Sequence, residues 1–544
     1  MENPTSDTRS EEKESQDNPM MTSLMPEKKH SGKDEENTET PESFTEASSV
    51  ENQEIMAPAT PPHTIFTRKE INFIVAMASL AALLSPVSST IYFPALNTLA
   101  DTLGVSVSSI NLTVTTYLIM QGIAPTFVGT WSDVSGRRPL YIGAFIVYMG
   151  ANIGLALQTS YAALMVLRLL QSAGSSGTIS LAYAVVADVS TSAERGRYVA
   201  YVSAGALLGP AFAPLIGGLL IQFLGWRSVF WGLTIFAGAI LIVFLFFFPE
   251  TSRRIVGNGS IPPQPWNMSI LTYINTRGKP KNTTTIPPRG FGFPNPIEAL
   301  KVFLDPESCL VLTVGGIMVA GFQMVNANLS EQLQNQYGFN AIQVGLCYIP
   351  LGAGCLLATE VGGRLVDWNY RRQGKLHGFT VQKQGKMDED FPLELARIQI
   401  LMPSVCICTV SILIYGWVLQ ERTNLAGPLV MVFIMGFGLS ASANTVSTII
   451  VDLNLEAPAT ASSAFNLSRC LLGAGGVAAI VPIIDAIGTG WTATIIAGVC
   501  FLTIPLQFVV LKKGPEWRKK KNQRDRERKE RKQQKEQGNP AENS

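Results

Sequence analysis

The chain is short of charge, of histidine and of carboxylates inside its apolar runs. Only 15% of its 544 residues are charged, against roughly 25% in soluble domains, while 47% are hydrophobic. That balance excludes an ordinary water-soluble globule and leaves a membrane protein. The three histidines, His30, His63 and His377, fall outside the apolar runs, which excludes histidine-ligated haem and histidine metal clusters within the membrane. Clustered carboxylates with metal-ligand spacing are missing too, so no metal and no cofactor is expected. There is no G-x-x-x-x-G-K-S/T loop, so neither ATP as an energy source nor enzymatic chemistry is expected. All seven cysteines lie from Cys309 to Cys500, mostly in apolar runs, and read as buried small hydrophobes rather than a disulfide framework. A net charge of +1 gives no reason to expect a nucleic-acid partner.

What is present is a series of apolar runs. Residues 1–65 are rich in Glu, Ser, Thr, Lys, Asn and Pro and bury too little apolar surface to offset their ordering entropy, so they read as a disordered tail. Twelve candidate spans follow, at 71–93, 109–130, 139–157, 161–187, 199–222, 228–248, 308–328, 341–361, 397–419, 427–450, 459–486 and 491–511. Each is long enough for about 30 Å of hydrocarbon, which takes roughly 20 residues. The expected fold is therefore an all-α membrane protein of twelve transmembrane helices in two six-helix bundles, at 66–250 and 308–511. A polar central loop at 251–307 joins them, and 512–544 forms a basic tail.

Lysine and arginine counts set the orientation. With the N-terminus in the cytosol, the inside loops carry Arg137, Arg138, Arg195, Arg197, the basic central loop, Arg364, Arg371, Arg372 and the tail, whereas the outside loops carry only Arg227 and Arg422. Both termini are expected in the cytosol, with the plasma membrane as the default site and an internal membrane open. The basic tail also suits anionic lipid head groups. Two sequons, Asn111 and Asn328, approach the outer face and are the candidate N-glycosylation positions.

The run GTWSDVSGRRP, Gly129 to Pro139, holds Asp133, Arg137 and Arg138 between two apolar segments. An echo, GRLVDWNYRR, starts at Gly363; Asp367, Arg371 and Arg372 repeat the offsets, with Tyr370 where the first copy has Gly136. Such recurrence suggests a chain of two like, pseudo-symmetric halves. The fifth span, SAGALLGPAFAPLIGGLL, concentrates Gly205, Gly209, Pro210, Pro214, Gly217 and Gly218; small residues let helix backbones approach closely, and prolines invite a pivot.

On these motifs the sequence resembles the major facilitator superfamily, and within it the fungal twelve-span drug:proton antiporters. Gly129, Asp133, Gly136, Arg137 and Arg138 match its loop signature, except that Val134 stands where a basic residue is usual. The fifth span is similar to the antiporter signature, with Ala213 in place of a glycine. Arg168 and Gln171 in LRLLQSAGSSG resemble its Arg-x-x-Gln element, and Asp188, Glu194 and Arg195 the cytosolic end of that helix. FPLELARI at Phe391 and NLSRCLLGAG at Asn466 add further likeness. The resemblance implies two bundles rocking about a central cavity, with export of drugs or amphipathic metabolites driven by inward protons.

Arg168 is a charge inside a span, a costly placement that marks a functional position by default. With Gln171 it is expected in proton coupling. Asp133, Asp188 and Asp367, with the arginines beside them, are expected to form a charge network that gates the rocking. Glu360 and Arg469 are expected to pair, because an unpaired buried charge is expensive. Candidate cargo contacts are Gln323, Asn326 and Asn444 with Tyr92, Tyr117, Phe322 and Tyr348, a few amides among adaptable aromatic surface. The expected partners are a small organic substrate, protons and the bilayer, for a monomeric transport unit. An uptake symporter or facilitator on the same fold, and a membrane sensor that does not transport, remain open.

Overall fold

The computed structural model describes residues 64–191, 194–276, 297–378, 391–454 and 457–538, and every regular element among them is helical. The expected disordered tail lies outside the described residues but for its last two, as does the stretch 277–296 of the central loop. Among the described residues twelve helices have 20 residues or more: α1 (Arg68–Thr90), α2 (Val107–Ser135), α3 (Arg137–Leu157), α4 (Tyr161–Val189), α5 (Arg195–Leu224), α6 (Arg227–Phe246), α7 (Pro306–Tyr337), α8 (Ile349–Leu376), α9 (Leu393–Gln420), α10 (Ala426–Leu453), α11 (Pro458–Phe501) and α12 (Thr503–Gly538). Eight stretches among the described residues are long and apolar enough to cross a membrane. Helix α4 is not among them. Helix α4 buries Arg168, Gln171, Ser172, Ser175, Ser176 and Thr178, and polar groups that face the protein interior lower a helix's hydropathy.

Local chemistry sets the helix ends. Thr67 and Glu70 form a capping box at α1, the Glu70 carboxylate accepting the Thr67 N–H at 2.8 Å, which satisfies a donor the helix leaves orphaned. Ser106 and Ser160 accept N–H groups at the starts of α2 and α4. Gly488, at φ 82°, bends α11 sharply, so the helical run that follows it leads into α12. That left-handed backbone costs glycine no steric penalty.

Packing repeats between the halves. In the first, α2 and α3 pack on α4, and α1 packs on α4 and α5; in the second, α8 and α9 pack on α10, and α7 packs on α10 and α11. This is the pseudo-symmetry expected of two like bundles. The halves meet along two seams, α2 against α11 and α5 against α8 with the short helix Ala341–Cys347 before it. One face of the molecule, called here the basic face, carries Gly136, Glu250 and the start of the basic stretch of α12.

The fifth-span glycines build one of these seams. A Cβ at Gly209 would lie 2.8 Å from Pro86 Cβ on α1. A Cβ at Gly217 would lie closer still to the Ile91 carbonyl, while one at Gly218 would meet the Ala341 carbonyl of the other half. A Cβ at Gly345 would lie 2.7 Å from Pro214 O, and Gly352 meets Ala211. Helix α5 therefore shows one small-residue face to its own half and another to its partner, and its backbone stays helical through Pro210 and Pro214. The side chain at 205 lies outside the described residues.

Candidate functional site

Arg168 stands on α4 seven residues from its end at the face opposite the basic one, and is fully buried. A guanidinium at such a depth costs at least ~2.5–3.5 kcal/mol, and the structure compensates it without any acid. One terminal nitrogen donates to Gln171 Oε1 at 2.7 Å and to the Ser88 carbonyl at 3.2 Å. The guanidinium carbon lies 4.3 Å from the Tyr92 ring centre and 4.5 Å from that of Tyr117, and each desolvated face is worth up to about 2 kcal/mol. Arg168 Nε and the second terminal nitrogen have no partner.

The shell around it is a chain of neutral groups. Gln171 Nε2 donates to Asn152 Oδ1 at 2.7 Å, and Asn152 Nδ2 donates to the Tyr148 carbonyl at 2.8 Å. The hydroxyls of Tyr148 and Ser88 are 2.5 Å apart. Tyr117 donates to the Ser85 carbonyl at 2.9 Å, and Tyr92 meets Thr113 Oγ1 at 2.9 Å. Arg168 and Gln171, both expected in proton coupling, are thus joined by a direct hydrogen bond. Tyr92 and Tyr117, expected against cargo, are instead the walls of the arginine's box.

The remaining cargo candidates scatter. Gln323 is half-buried and lies against Gly473, whereas Asn444 is exposed. Asn326 is buried, its Oδ1 is unpartnered and its carbonyl accepts from Tyr348 at 2.9 Å. Tyr348 stacks across the halves on Phe93 at 6.2 Å, and Phe322 is buried in the core. Both sequon side chains are buried, Asn111 2% and Asn328 5% exposed, within α2 and α7. That burial weighs against glycosylation at either position.

At the basic face the loop signature closes into a compact brace. Gly136, at φ 102°, is the break between α2 and α3. The Glu250 carboxylate, 3% exposed, seats on the N-terminus of α3. It accepts from the N–H groups of Arg137 at 2.8 Å, Arg138 at 3.1 Å, Thr251 at 3.0 Å and Ser252 at 2.8 Å. An anion here also complements the helix dipole. Arg137 Nε pairs with Asp188 Oδ2 at 2.9 Å and its side chain also bonds Ser132. Ser132 in turn donates to the Gly129 carbonyl at 2.6 Å. Arg138 donates to the Leu245 carbonyl at 3.0 Å, and Arg253 to that of Asp188 at 2.8 Å. Glu194 pairs with Arg68. The side chains of Asp133 and Arg195 lie outside the described residues.

The second half repeats the brace at a different place from the one its spacing predicts. Arg397, at the start of α9, bonds Asp452 at the end of α10 at 2.9 Å, as Arg137 at the start of α3 bonds Asp188 at the end of α4. Asp367 and Arg371 are exposed on α8 and form no ion pair among the described residues. Tyr370 stands where Gly136 breaks the first copy, and α8 runs on through it to Leu376. Nor do Glu360 and Arg469 meet. Glu360 pairs with Arg364 one turn on, at the surface, while Arg469 donates twice to Asn466 Oδ1, at 2.7 and 3.2 Å.

The basic stretch of α12 is anchored. Arg518 bonds the Phe391 carbonyl at 2.6 Å and Glu394 at 3.1 Å, with side-chain exposures of 9% and 2%. Lys521 bonds Asn454 Oδ1 at 2.8 Å and the Leu453 carbonyl at 3.0 Å. Removing one partner of a buried pair costs about 3–5 kcal/mol. Arg518→Ala is therefore expected to speed hydrogen exchange in residues 512–538 by at least about a hundredfold, while exchange unchanged from wild type would show the anchor to be idle.

A family model described as the Major Facilitator Superfamily matches residues 78–477. The chain belongs to the major facilitator superfamily. It is 43% identical to the MFS-type transporter phiD of a fungal species (strain ATCC 74256), over 86% of this chain and 72% of that one. It is 41% identical to the MFS-type transporter M6 of a Phoma species, over 86% of each. It is also 36% identical to Citrate exporter 1 of Aspergillus niger, over 85% of this chain and 90% of that one. The superfamily's members are transporters, so the brace, the α5 seam and the Arg168 box are parts of a carrier of small molecules across a membrane.

Proposed function

We propose that this transporter exports drugs or amphipathic metabolites from the cytosol in exchange for protons, by alternating access, as a monomeric unit in the plasma membrane. The observation that carries the reading is the two-faced α5 seam. Small residues bring it against α1 through Gly209 and Gly217, and against the other half through Ala211, Pro214 and Gly218, so the halves can part there without tearing apart their own cores. The excess of lysine and arginine makes the basic face cytosolic. At the other face Asn97 bonds Gln334 at 2.8 Å across the halves, which suits a state facing the cytosol. Arg168, with donors to spare, is the proposed coupling group, and a relative named a citrate exporter supports outward traffic of small organic molecules. In everted vesicles, accumulation of a cargo is expected to follow an imposed proton gradient and stop when the gradient is collapsed. Accumulation that survives collapse would overturn the antiport reading.

A further inference from the structure

Two arginines within the spans, Arg168 and Arg469, have no acid beside them. Three acids of the spans are paired with other arginines. Glu360 pairs with Arg364, and Asp188 and Asp452 pair with Arg137 and Arg397. Glu331 and Asp485 lie near the end away from the basic face, late in α7 and beside the bend of α11. Arg168 and Arg469 sit in neutral shells: amides, a carbonyl and tyrosine faces around the first, the Asn466 amide against the second. Neither forms an ion pair among the described residues.

Arg469 stands where the halves touch. Asn466, which holds it, donates to the Gln121 carbonyl on α2 at 3.0 Å, and Cys470 lies against Gly122. It is eleven residues into α11 from the basic-face end and half-buried, whereas Arg168 is sealed. The two charges thus stand at different depths, and in this state the one nearer the basic face is the more open.

We propose that the cargo is an organic anion bearing a carboxylate, and that the Arg469 guanidinium is its first contact from the basic face. This rests on the export reading above. Uncompensated positive charge in a low-dielectric interior attracts an anion and repels a cation. Guanidinium suits the purpose because its planar fork matches a carboxylate with two parallel hydrogen bonds. Asn466 occupies only part of that fork, and an arriving carboxylate would take over its donors as the halves close behind it.

The test uses the full-length protein in liposomes and in detergent, with citrate and benzoate as anions and tetraphenylphosphonium as the cation. Expected are gradient-driven transport of an anion, none of the cation, and a rise in Tm with citrate. Arg469→Gln should weaken both anion effects by at least about tenfold, with Arg469→Lys intermediate. Transport of the cation with neither anion moved nor binding would overturn the anion assignment and leave proton-driven export standing. Anion transport indifferent to the gradient would do the reverse. If nothing moves but citrate stabilises wild type and not Arg469→Gln, the site stands and the export reading falls. A folded Arg469→Gln protein that handles anions like wild type, or the absence of both transport and stabilisation, would also sink the proposal.

Discussion

Arg168→Lys is expected to cut proton-driven accumulation by about ten- to a hundredfold while leaving a folded protein. Lysine keeps the positive charge but is a point charge on a flexible stem, without the planar fork of guanidinium. At this position the fork places one nitrogen between Gln171 Oε1 and the Ser88 carbonyl, while the plane lies between the rings of Tyr92 and Tyr117. Hydrogen bonds to a charged group contribute about 1.5–3 kcal/mol each. Losing one, and the fit between the rings, predicts a fall in driven transport of order ten- to a hundredfold. Gradient-driven uptake and gradient-free counterflow, measured side by side, separate coupling from structure. A coupling group lost leaves counterflow of cargo near wild type and removes only the uphill component. Equal loss of both, in step with folded yield, would reduce Arg168 to a structural hydrogen-bond donor.

The arginine was legible in the sequence because charge in an apolar run is conspicuous, and Gln171 was picked out beside it by the resemblance to the family's Arg-x-x-Gln element. Its walls were not, since a tyrosine carries no mark of whether it faces cargo or a cation. The general fold was equally plain, as twelve apolar runs in two sets leave few arrangements. The basic face misled in an instructive way. A search for the first loop's spacing found Asp367 and Arg371, which share its offsets but not its glycine. With Tyr370 in that place, nothing breaks α8, and the charges stay on the outside of a continuing helix. The true repeat, Arg397 with Asp452, joins two residues 55 apart in the chain, a separation that no local pattern encodes. Glu250 was missed for the same reason. It lies 113 residues from the N–H group of Arg137 that it caps, and in sequence it is merely an acid after a span.

Gly136→Ala is expected to be the most destabilising single change at the basic face. At φ 102°, a residue with a side chain stores about 1–3 kcal/mol of backbone strain. The added Cβ would also lie 2.5 Å from Glu250 Oε2 and 2.8 Å from Asn267 Nδ2. Glu250 is held by four N–H groups, so the carboxylate cannot yield without uncapping α3, which makes the total of order 3–5 kcal/mol. Glu250→Gln retains the shape, loses the charge and turns a donor toward those N–H groups, a milder loss of about 1–3 kcal/mol. The expected order of Tm is wild type, then Glu250→Gln, then Gly136→Ala. The bonds described around Gly136, from Ser132, Arg137, Asp188 and Glu250, all lie within the first half. They tie α2, α3 and α4 to the end of α6, and so hold the half together as a body that can rock whole. On that argument Glu250→Gln lowers Tm and transport in both directions alike. A variant that keeps the wild-type Tm but transports faster one way than the other would instead place this brace in the gate between the halves.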